Sequence, residues 1–285
     1  MAGTDYDLSY LRVYNKQLVV LSSANKIYDT DTPTDFNISF ASNSNQITKL
    51  KKIDLTSVTF NHLFNNVASY SNSFVLSYTP NGGGGQSVVV TIPNGFWNAT
   101  QIASLIQSFV VTNVPALSTF TCTFDTTTYL FSMSSNNLLT TIQIIPIIFN
   151  PSYGNNNQLE GTLAWNIGFV SLPTADAVSI VASNLPSLNI QNVYIYSVKL
   201  SNARSYRSNG AYQSTVSNQL ISIPLATVPY GATCNWLASG SERGITVYPM
   251  ENTLDIIDFQ LKNEFGNILE TQLNSNTSIE FSVFY

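Results

Sequence analysis

The sequence has few charged residues and very little histidine. Of its 285 residues, 9% are Asp, Glu, Lys or Arg, and His62 is the one histidine. Acid–base and nucleophilic catalysis depend on such side chains, so the composition argues against an enzyme. The formal net charge of −5 argues against a protein that coats nucleic acid, because that role needs a basic surface.

Cysteine and long apolar runs are also scarce. Cys122 and Cys234 cannot build a disulfide framework, and their apolar sequence contexts favour packed, reduced thiols. The amino-terminal residues lack the basic segment and apolar run of a signal peptide. No stretch of about 18 apolar residues is present to span a bilayer. These absences predict a protein without a membrane span, made in a reducing compartment, in which the sequons at Asn37, Asn98 and Asn276 are incidental.

The abundant residues fit β-structure. Hydrophobic residues make up 44% of the chain and aromatic residues 12%, which is enough for a substantial core. Val, Ile, Thr, Tyr and Phe favour strands, and the intervening Asn, Ser, Gly and Pro favour turns. No repeat of fixed period is present, which argues against a propeller or a solenoid. The length permits one large β domain or two smaller domains.

Alternating strand patterns occupy both ends of the chain. Phe36, Ile38 and Phe40 alternate with polar residues, and a slip of phase between Leu55 and Val58 predicts a β-bulge. The period of two returns in five later segments, which are Val193–Leu200, Ile221–Leu225, Ile245–Tyr248, Leu254–Lys262 and Ile279–Tyr285. About eight strands lie outside the middle of the chain, and that number fits an antiparallel jelly roll.

The middle of the chain has a different pattern. Asn98 and Gln101 predict a capping box at the start of an amphipathic helix that ends near Pro115. A hairpin with a glycine tip at Gly82–Gly85 precedes the helix, and a hairpin that turns at Asp125–Thr128 follows it. Hairpin, helix and hairpin together predict a small α+β domain with its own core.

These patterns divide the chain into three predicted parts. The fold class is mainly β, with a single jelly-roll sandwich over residues 36–71 and 186–285. The α+β domain is inserted at residues 72–185, where Thr141–Phe149 and Thr162–Val170 also have strand character. Residues 1–35 lack a clear period and are predicted to form an N-terminal arm. Because Leu18–Leu21 have no evident place in the sandwich, we expect the arm to dock on a neighbouring subunit.

The few candidate sites for chemistry each have a simpler structural interpretation. His62, the one possible base of a catalytic triad, lies at a strand end, and no Cys and His residues have zinc-binding spacing. Asp29, Asp31 and Asp35 could offer oxygen ligands to Ca²⁺, but the EF-hand glycine and closing Glu are missing. We therefore predict no catalytic, cofactor-binding or metal-binding residues.

Four further groups have a chemical and a structural interpretation. They are a glycosidase pair drawn from Glu251, Asp255, Asp258 and Glu264, a phosphate loop at Gly82–Gly85, a sugar platform of Trp97, Trp165 and Trp236, and a basic cluster of Lys49, Lys51 and Lys52. The glycine run lacks the Lys and Ser/Thr of a phosphate loop. We expect strand and turn positions for the carboxylates, core or interface positions for the tryptophans, and a solvated strand end for the lysines.

Three segments resemble a family of viral proteins. They are the strand, Pro-Asn-Gly-aromatic turn and helix start at Val89–Ile102, the hairpin at Thr121–Met133, and the closing strands at Glu242–Tyr285 with Asp258 and Glu264–Gly266 at their turn. In the order and texture of these segments, the chain resembles the single jelly-roll minor capsid proteins, or penton proteins, of virophages and of related Polinton-like and adenovirus-like viruses.

That resemblance implies a structural role in a virion. In such proteins, pentamers fill the vertices of an icosahedral shell, next to capsomers of a double jelly-roll major capsid protein. The resemblance thus implies a homopentamer without a cofactor, located in the virion and made in the host cytoplasm or a viral factory. A receptor- or carbohydrate-binding β-sandwich of a virion or particle is the alternative that the residues leave open.

Overall fold

Antiparallel β-strands dominate the part of the chain that the structure describes. The structure is a computed structural model, and it describes residues 16–39, 47–48, 52–80, 82–145, 162–169, 177–200, 203–205, 215–217, 219–238, 245–247, 253–254, 256–271 and 275–284. Numbered in chain order, the strands and helices are β1 Lys16–Ser22, β2 Asp35–Ser39, β3 Ile47–Thr48, β4 Lys52–Asn61, β5 Ser73–Thr79, β6 Gln86–Thr91, α1 Ala99–Asn113, β7 Thr121–Asp125, β8 Leu130–Ser134, β9 Thr141–Ile145, α2 Leu163–Asn166, β10 Ser179–Val181, β11 Asn192–Tyr196, β12 Ala203–Ser205, β13 Thr215–Ser217, β14 Gln219–Pro224, β15 Thr233–Leu237, β16 Ile245–Val247, β17 Thr253–Leu254, β18 Ile256–Lys262 and β19 Thr277–Phe284.

The chain divides into two compact units. Residues 1–63 with 191–285 form the first, here named the sandwich unit, and residues 64–190 form the second, named the inserted unit. The inserted unit begins before the predicted residue 72, because Val67 packs in its core and pairs with Gly95. It also ends later than the predicted residue 185, because the backbone N–H of Ser187 donates to the carbonyl oxygen of Asn166 at 2.8 Å.

Two antiparallel sheets build the sandwich unit. In the first the strand order is β1-β19-β4-β15, with β16 pairing with another part of β4, and in the second it is β14-β11-β18-β2. Without β16, these two sheets contain eight strands. Numbered from one to eight along the chain, they follow the orders 1-8-3-6 in the first sheet and 5-4-7-2 in the second. Successive strands alternate between the two sheets except for the fourth and fifth, β11 and β14, which pair with each other; this order of two Greek keys is jelly-roll topology. The predicted fold class is therefore confirmed.

Burial alternates along these strands as the sequence predicted. In β18 the side chains of Ile257, Phe259 and Leu261 are buried, whereas the intervening residues are half-buried. Phe259 packs against Phe36 of β2 with ring centroids 5.7 Å apart. Since one face of each strand is buried, a slip of one residue would place these side chains in solvent, so the alternation determines the register.

The predicted β-bulge lies in β4. In its pairing with β19, Leu55 is opposite Phe281 and Ser57 is opposite Glu280, so Thr56 is the additional residue. The extra residue shifts the side-chain alternation by one position, and as a result Leu55 and Val58 are both buried.

Residues 16–35 belong to the sandwich unit, which corrects the prediction that they form an arm outside it. β1 pairs with β19 along its whole length. The connection from β1 to β2 is organised by Asp31, whose carboxylate accepts the backbone N–H groups of Tyr28 and Asn37. The run Leu18–Leu21 showed no period of two because every residue in it is apolar. Residues 1–15 of the predicted arm lie outside the described residues.

The inserted unit contains α1 and two three-stranded sheets, β6-β5-β9 and β10-β8-β7. The predicted capping box is confirmed, because the Asn98 side chain accepts the N–H of Gln101 and the Gln101 side chain accepts the N–H of Asn98. The buried face of α1 includes Ile102, Ile106 and Val110. Both predicted hairpins are present, as the pairs β5–β6 and β7–β8.

The prediction of one strand in this unit is wrong. The segment Thr162–Val170 contains the short helix α2, which begins where the Thr162 hydroxyl accepts the N–H of Trp165 at 3.3 Å. Gly168 follows with φ of 95°, in the region that favours glycine. The side-chain cap and the glycine turn the chain locally, and these local bonds outweigh the strand character of the apolar residues. Residues 146–161 lie outside the described residues.

Candidate functional site

His62 holds a structural position at the end of β4. One ring nitrogen, Nδ1, lies 2.8 Å from the carbonyl oxygen of Val228, and the ring meets Tyr230 edge-on with centroids 6.0 Å apart. The backbone N–H of His62 donates to the carbonyl oxygen of Ala232 at 2.9 Å. These contacts join the end of β4 to the segment that leads into β15.

The amino-terminal aspartates organise a loop. Asp31 is buried, and besides the two backbone groups its carboxylate accepts the side-chain amide of Asn37 at 3.2 Å. Asp35 accepts the side-chain amide of Gln260 at 3.3 Å. Among the described residues, no three of His, Cys, Asp and Glu are grouped so that they could hold a metal ion. Two of the three aspartates that the sequence offered to a cation, Asp31 and Asp35, therefore bond within the fold, whereas Asp29 is exposed.

Asp258 has a role that the sequence pattern did not reveal. Its carboxylate on β18 accepts the backbone N–H groups of Val198 and Lys199, each at 2.9 Å. These N–H groups bond to a side chain rather than to a neighbouring strand, so β11 ends at Tyr196 and not at the predicted residue 200. The alternating strand pattern is the same whether an outward Asp is solvated or accepts backbone N–H groups, so the sequence could not reveal these bonds.

Of the other carboxylates of the considered glycosidase pair, the structure describes Glu264. Glu264 lies in the predicted turn after β18, where the Asn263 side chain accepts the N–H groups of Phe265 and Asn267, each at 3.0 Å. Glu251 and Asp255 lie outside the described residues.

The three tryptophans occupy different places in the fold. The Trp97 indole donates to the carbonyl oxygen of Pro93 at 2.9 Å, and the Asn66 side chain bonds both backbone groups of Trp97. Trp165 packs against the core of the inserted unit, whereas Trp236 lies on β15 of the sandwich unit. Trp97 and Trp165 thus pack against the core of the inserted unit, as expected from the sequence.

The glycine, lysine and cysteine positions are also located. Gly82–Gly85 form the tip between β5 and β6. Lys52 begins β4, and the other two lysines of the basic cluster lie outside the described residues. Cys122 and Cys234 are free, buried thiols, as expected. Burial raises the pKa of Cys122 to about 12, so this thiol stays protonated at neutral pH.

All three sequon asparagines use their side chains within the fold. Asn37 bonds to Asp31, Asn98 caps α1, and Asn276 accepts the hydroxyl groups of Ser22 and Ser23 at 3.0 and 2.7 Å. Each amide therefore has a structural task, on strand β2 for Asn37, at a helix start for Asn98 and just before β19 for Asn276.

Exposed apolar side chains at the edges of the first sheet form the candidate functional surface. Leu18 and Val20 on β1 are each 59% exposed, and Leu237 on β15 is 63% exposed. Large aliphatic side chains on an edge strand are a feature of surfaces that contact another chain. The apolar run Leu18–Leu21 indicated docking on a neighbouring subunit, but the sequence indicated neither its place at a sheet edge nor the role of Leu237, because exposure depends on which strands lie at the edges.

The fold and this surface define a single jelly-roll protein with an inserted α+β unit and an apolar sheet edge. No protein-family model matches the sequence, and no curated protein matches it. Among solved structures, the chain is similar to the penton protein of mavirus, with 7% sequence identity over 95% of this chain and 99% of that chain and a TM-score of 0.48. None of the described helices is long and apolar enough to cross a membrane.

Proposed function

We propose that this protein is a structural subunit of an icosahedral viral capsid and that five copies form the penton at each vertex. The observation that carries the proposal is the strand order of the sandwich unit, since jelly rolls of two Greek keys build viral capsid domains and lectin domains. One jelly roll suits a vertex protein, whereas capsomers of the major capsid protein would need two.

The composition supports an assembly role for the jelly roll. Only 9% of the residues are charged, so the surface is rich in neutral polar and apolar groups. Burying such groups between subunits carries a smaller desolvation penalty than burying charges. The chain therefore suits a role that depends on contact area between subunits rather than on a reaction.

The proposed partners follow from the position at a vertex. The pentamer contacts capsomers of a double jelly-roll major capsid protein. The protein is located in the virion after synthesis in the host cytoplasm or a viral factory. No cofactor or enzymatic activity is part of this role.

Native mass spectrometry of the full chain tests the proposal. We expect a pentamer, and we expect its mass to persist on dilution into the micromolar range. A monomer at every concentration would contradict a vertex role. A trimer or dimer that binds members of a glycan array would favour the carbohydrate-binding alternative instead.

A further inference from the structure

The two sheets of the sandwich unit have four edges, and these differ in how they are covered. In the first sheet, β1 forms one edge, and β15 and β16 share the other because each pairs with a different part of β4; in the second sheet the edges are β14 and β2. An uncovered edge offers backbone N–H and C=O groups to a strand of another chain, and proteins usually block such edges.

Both edges of the second sheet carry blocking features. Along β2, the Asp31 carboxylate accepts the N–H of Asn37 at 2.9 Å, and the N–H of Ile27 donates to the Asn37 carbonyl oxygen at 3.1 Å. β14 ends in Pro224, which has no N–H to donate. Strand addition is therefore disfavoured at the second sheet.

The edge formed by β1 lacks these features. The strand contains neither proline nor an acidic residue, and its backbone makes no hydrogen bond to a described residue on the side away from β19. β15 at the opposite edge contains neither proline nor a charged residue, whereas β1 has one charged residue, Lys16 at its start. The first sheet thus has two uncovered edges within the described part of the chain.

The exposed aliphatic side chains of the two edges lie on the same face of the sheet. Val20 is opposite Glu280, Glu280 is opposite Ser57, and Ser57 is opposite Leu237. Residues directly opposite each other in an antiparallel sheet point to the same face. Val20 and Leu237 are therefore the two ends of one row of side chains that crosses the sheet from edge to edge.

The strand directions also match. Every pair in β1-β19-β4-β15 is antiparallel, so β1 and β15 run in opposite directions. A second copy in the same orientation consequently presents its β15 antiparallel to β1 of the first copy. The sheet can then continue from one copy to the next with regular antiparallel pairing.

We propose that copies of this chain join head to tail, with β1 of one copy pairing with β15 of the next. This inference rests on the proposed function, in which the copies form a ring, and it identifies the surfaces that make the ring. Two different edges of the same subunit meet in such a contact, and contacts of this heterologous type form rings when their rotation closes. Leu18 and Val20 pack beside Leu237 of the adjoining copy, which removes all three side chains from water.

Charge substitutions at the two edges test the pairing. Leu18→Lys and Leu237→Lys place a charge in the contact, and we expect each to weaken association on the order of tenfold or more. Leu185→Lys is the matched control, because Leu185 is 66% exposed and lies in the inserted unit. Far-ultraviolet circular dichroism checks that each variant is folded. If the wild type is a pentamer and both edge variants form pentamers of unchanged strength, the inference is overturned and the proposed function stays intact. If the wild type is a monomer, both are overturned.

Disulfide trapping distinguishes the β1–β15 pairing from a symmetric contact in which β1 of one copy pairs with β1 of another. Leu18→Cys, Val20→Cys and Leu237→Cys are purified separately and then mixed under mild oxidation, with the wild type as the control for the buried native thiols. Head-to-tail pairing predicts cross-linked dimers when Leu237→Cys is mixed with a β1 variant, and none from a β1 variant alone. Cross-linking of a β1 variant with itself would show β1–β1 pairing and overturn the inference, as would the lack of a cross-link in every mixture.

Discussion

The carboxylate of Asp258 accepts the backbone N–H of Lys199 at 2.9 Å and so ties the turn after β11 to the neighbouring strand β18. Ser197 in the same turn is fully buried, and its hydroxyl donates to Asp258 at 3.2 Å while accepting the N–H of Leu200 at 3.1 Å. One side chain on a central strand thereby determines where the adjacent strand ends.

Asp258→Ala should destabilise the sandwich unit. The substitution leaves two backbone N–H groups without their charged acceptor, and hydrogen bonds to charged groups contribute about 1.5–3 kcal/mol each in net terms. We expect a loss of about 2 kcal/mol in the free energy of unfolding, measured by urea denaturation. Asp29→Ala is the control, because Asp29 is exposed, and it should change stability by less than about 0.5 kcal/mol. Equal effects of the two substitutions would contradict the assigned role.

The Cys122 thiol should make stability fall in alkaline solution. Its pKa is about 12 in the folded protein and about 9 in the unfolded chain, so the unfolded chain loses this proton first as pH rises. The stabilising contribution is complete below pH 9, and about 1.4 kcal/mol of it is lost by pH 10. Denaturation at pH 8 and pH 10 measures the loss in the wild type and in Cys122→Ala. The free energy of unfolding of Cys122→Ala should fall by about 1.4 kcal/mol less than that of the wild type, because all other groups titrate equally in both proteins. An equal fall in both proteins would refute the prediction.

Gly168→Ala should disrupt the inserted unit. Gly168 has φ of 95°, and a Cβ at this position would clash with the backbone oxygen of Asn184. Strain of this kind costs about 1–3 kcal/mol before the clash is counted. Limited proteolysis should cut the inserted unit of the variant faster than that of the wild type. Gly84→Ala is the control, since a Cβ there meets nothing within 4 Å, and it should leave the cleavage rate unchanged.

The sandwich unit should fold without the inserted unit. The core of the inserted unit consists of its own side chains, from Val67 to Ala182, so its removal takes no residue from the two sheets. Residues 64–190 are replaced by a Gly/Ser linker of about eight residues, which spans roughly 15 Å. We expect a β-type circular dichroism spectrum with cooperative thermal unfolding. A spectrum without strand signal would show that the sheets depend on the inserted unit.

Local features of the fold could be predicted from the sequence. Asn98 and Gln101 are three residues apart, and a capping box requires only that spacing. The bulge at Thr56 follows from a shift of the apolar period, and the glycine tip at Gly82–Gly85 follows from its flanking strands. Each of these features depends on bonds or burial patterns within a short stretch of chain, so neighbouring residues carry the information.

Long-range pairing was decided only by the tertiary structure. β1 pairs with β19 from the other end of the chain. Because every residue of Leu18–Leu21 is apolar, the sequence indicates neither the strand with which this run pairs nor which of its side chains are buried. Asp258 bonds to a turn about sixty residues earlier in the chain, and an alternating strand pattern is the same with or without that bond. The candidate surface has the same origin, because Val20 and Leu237 become edge residues only when the strand order is set. The sequence alone therefore determined the periods, caps and turns, whereas edges, partners and exposed faces depend on packing between segments far apart in the chain.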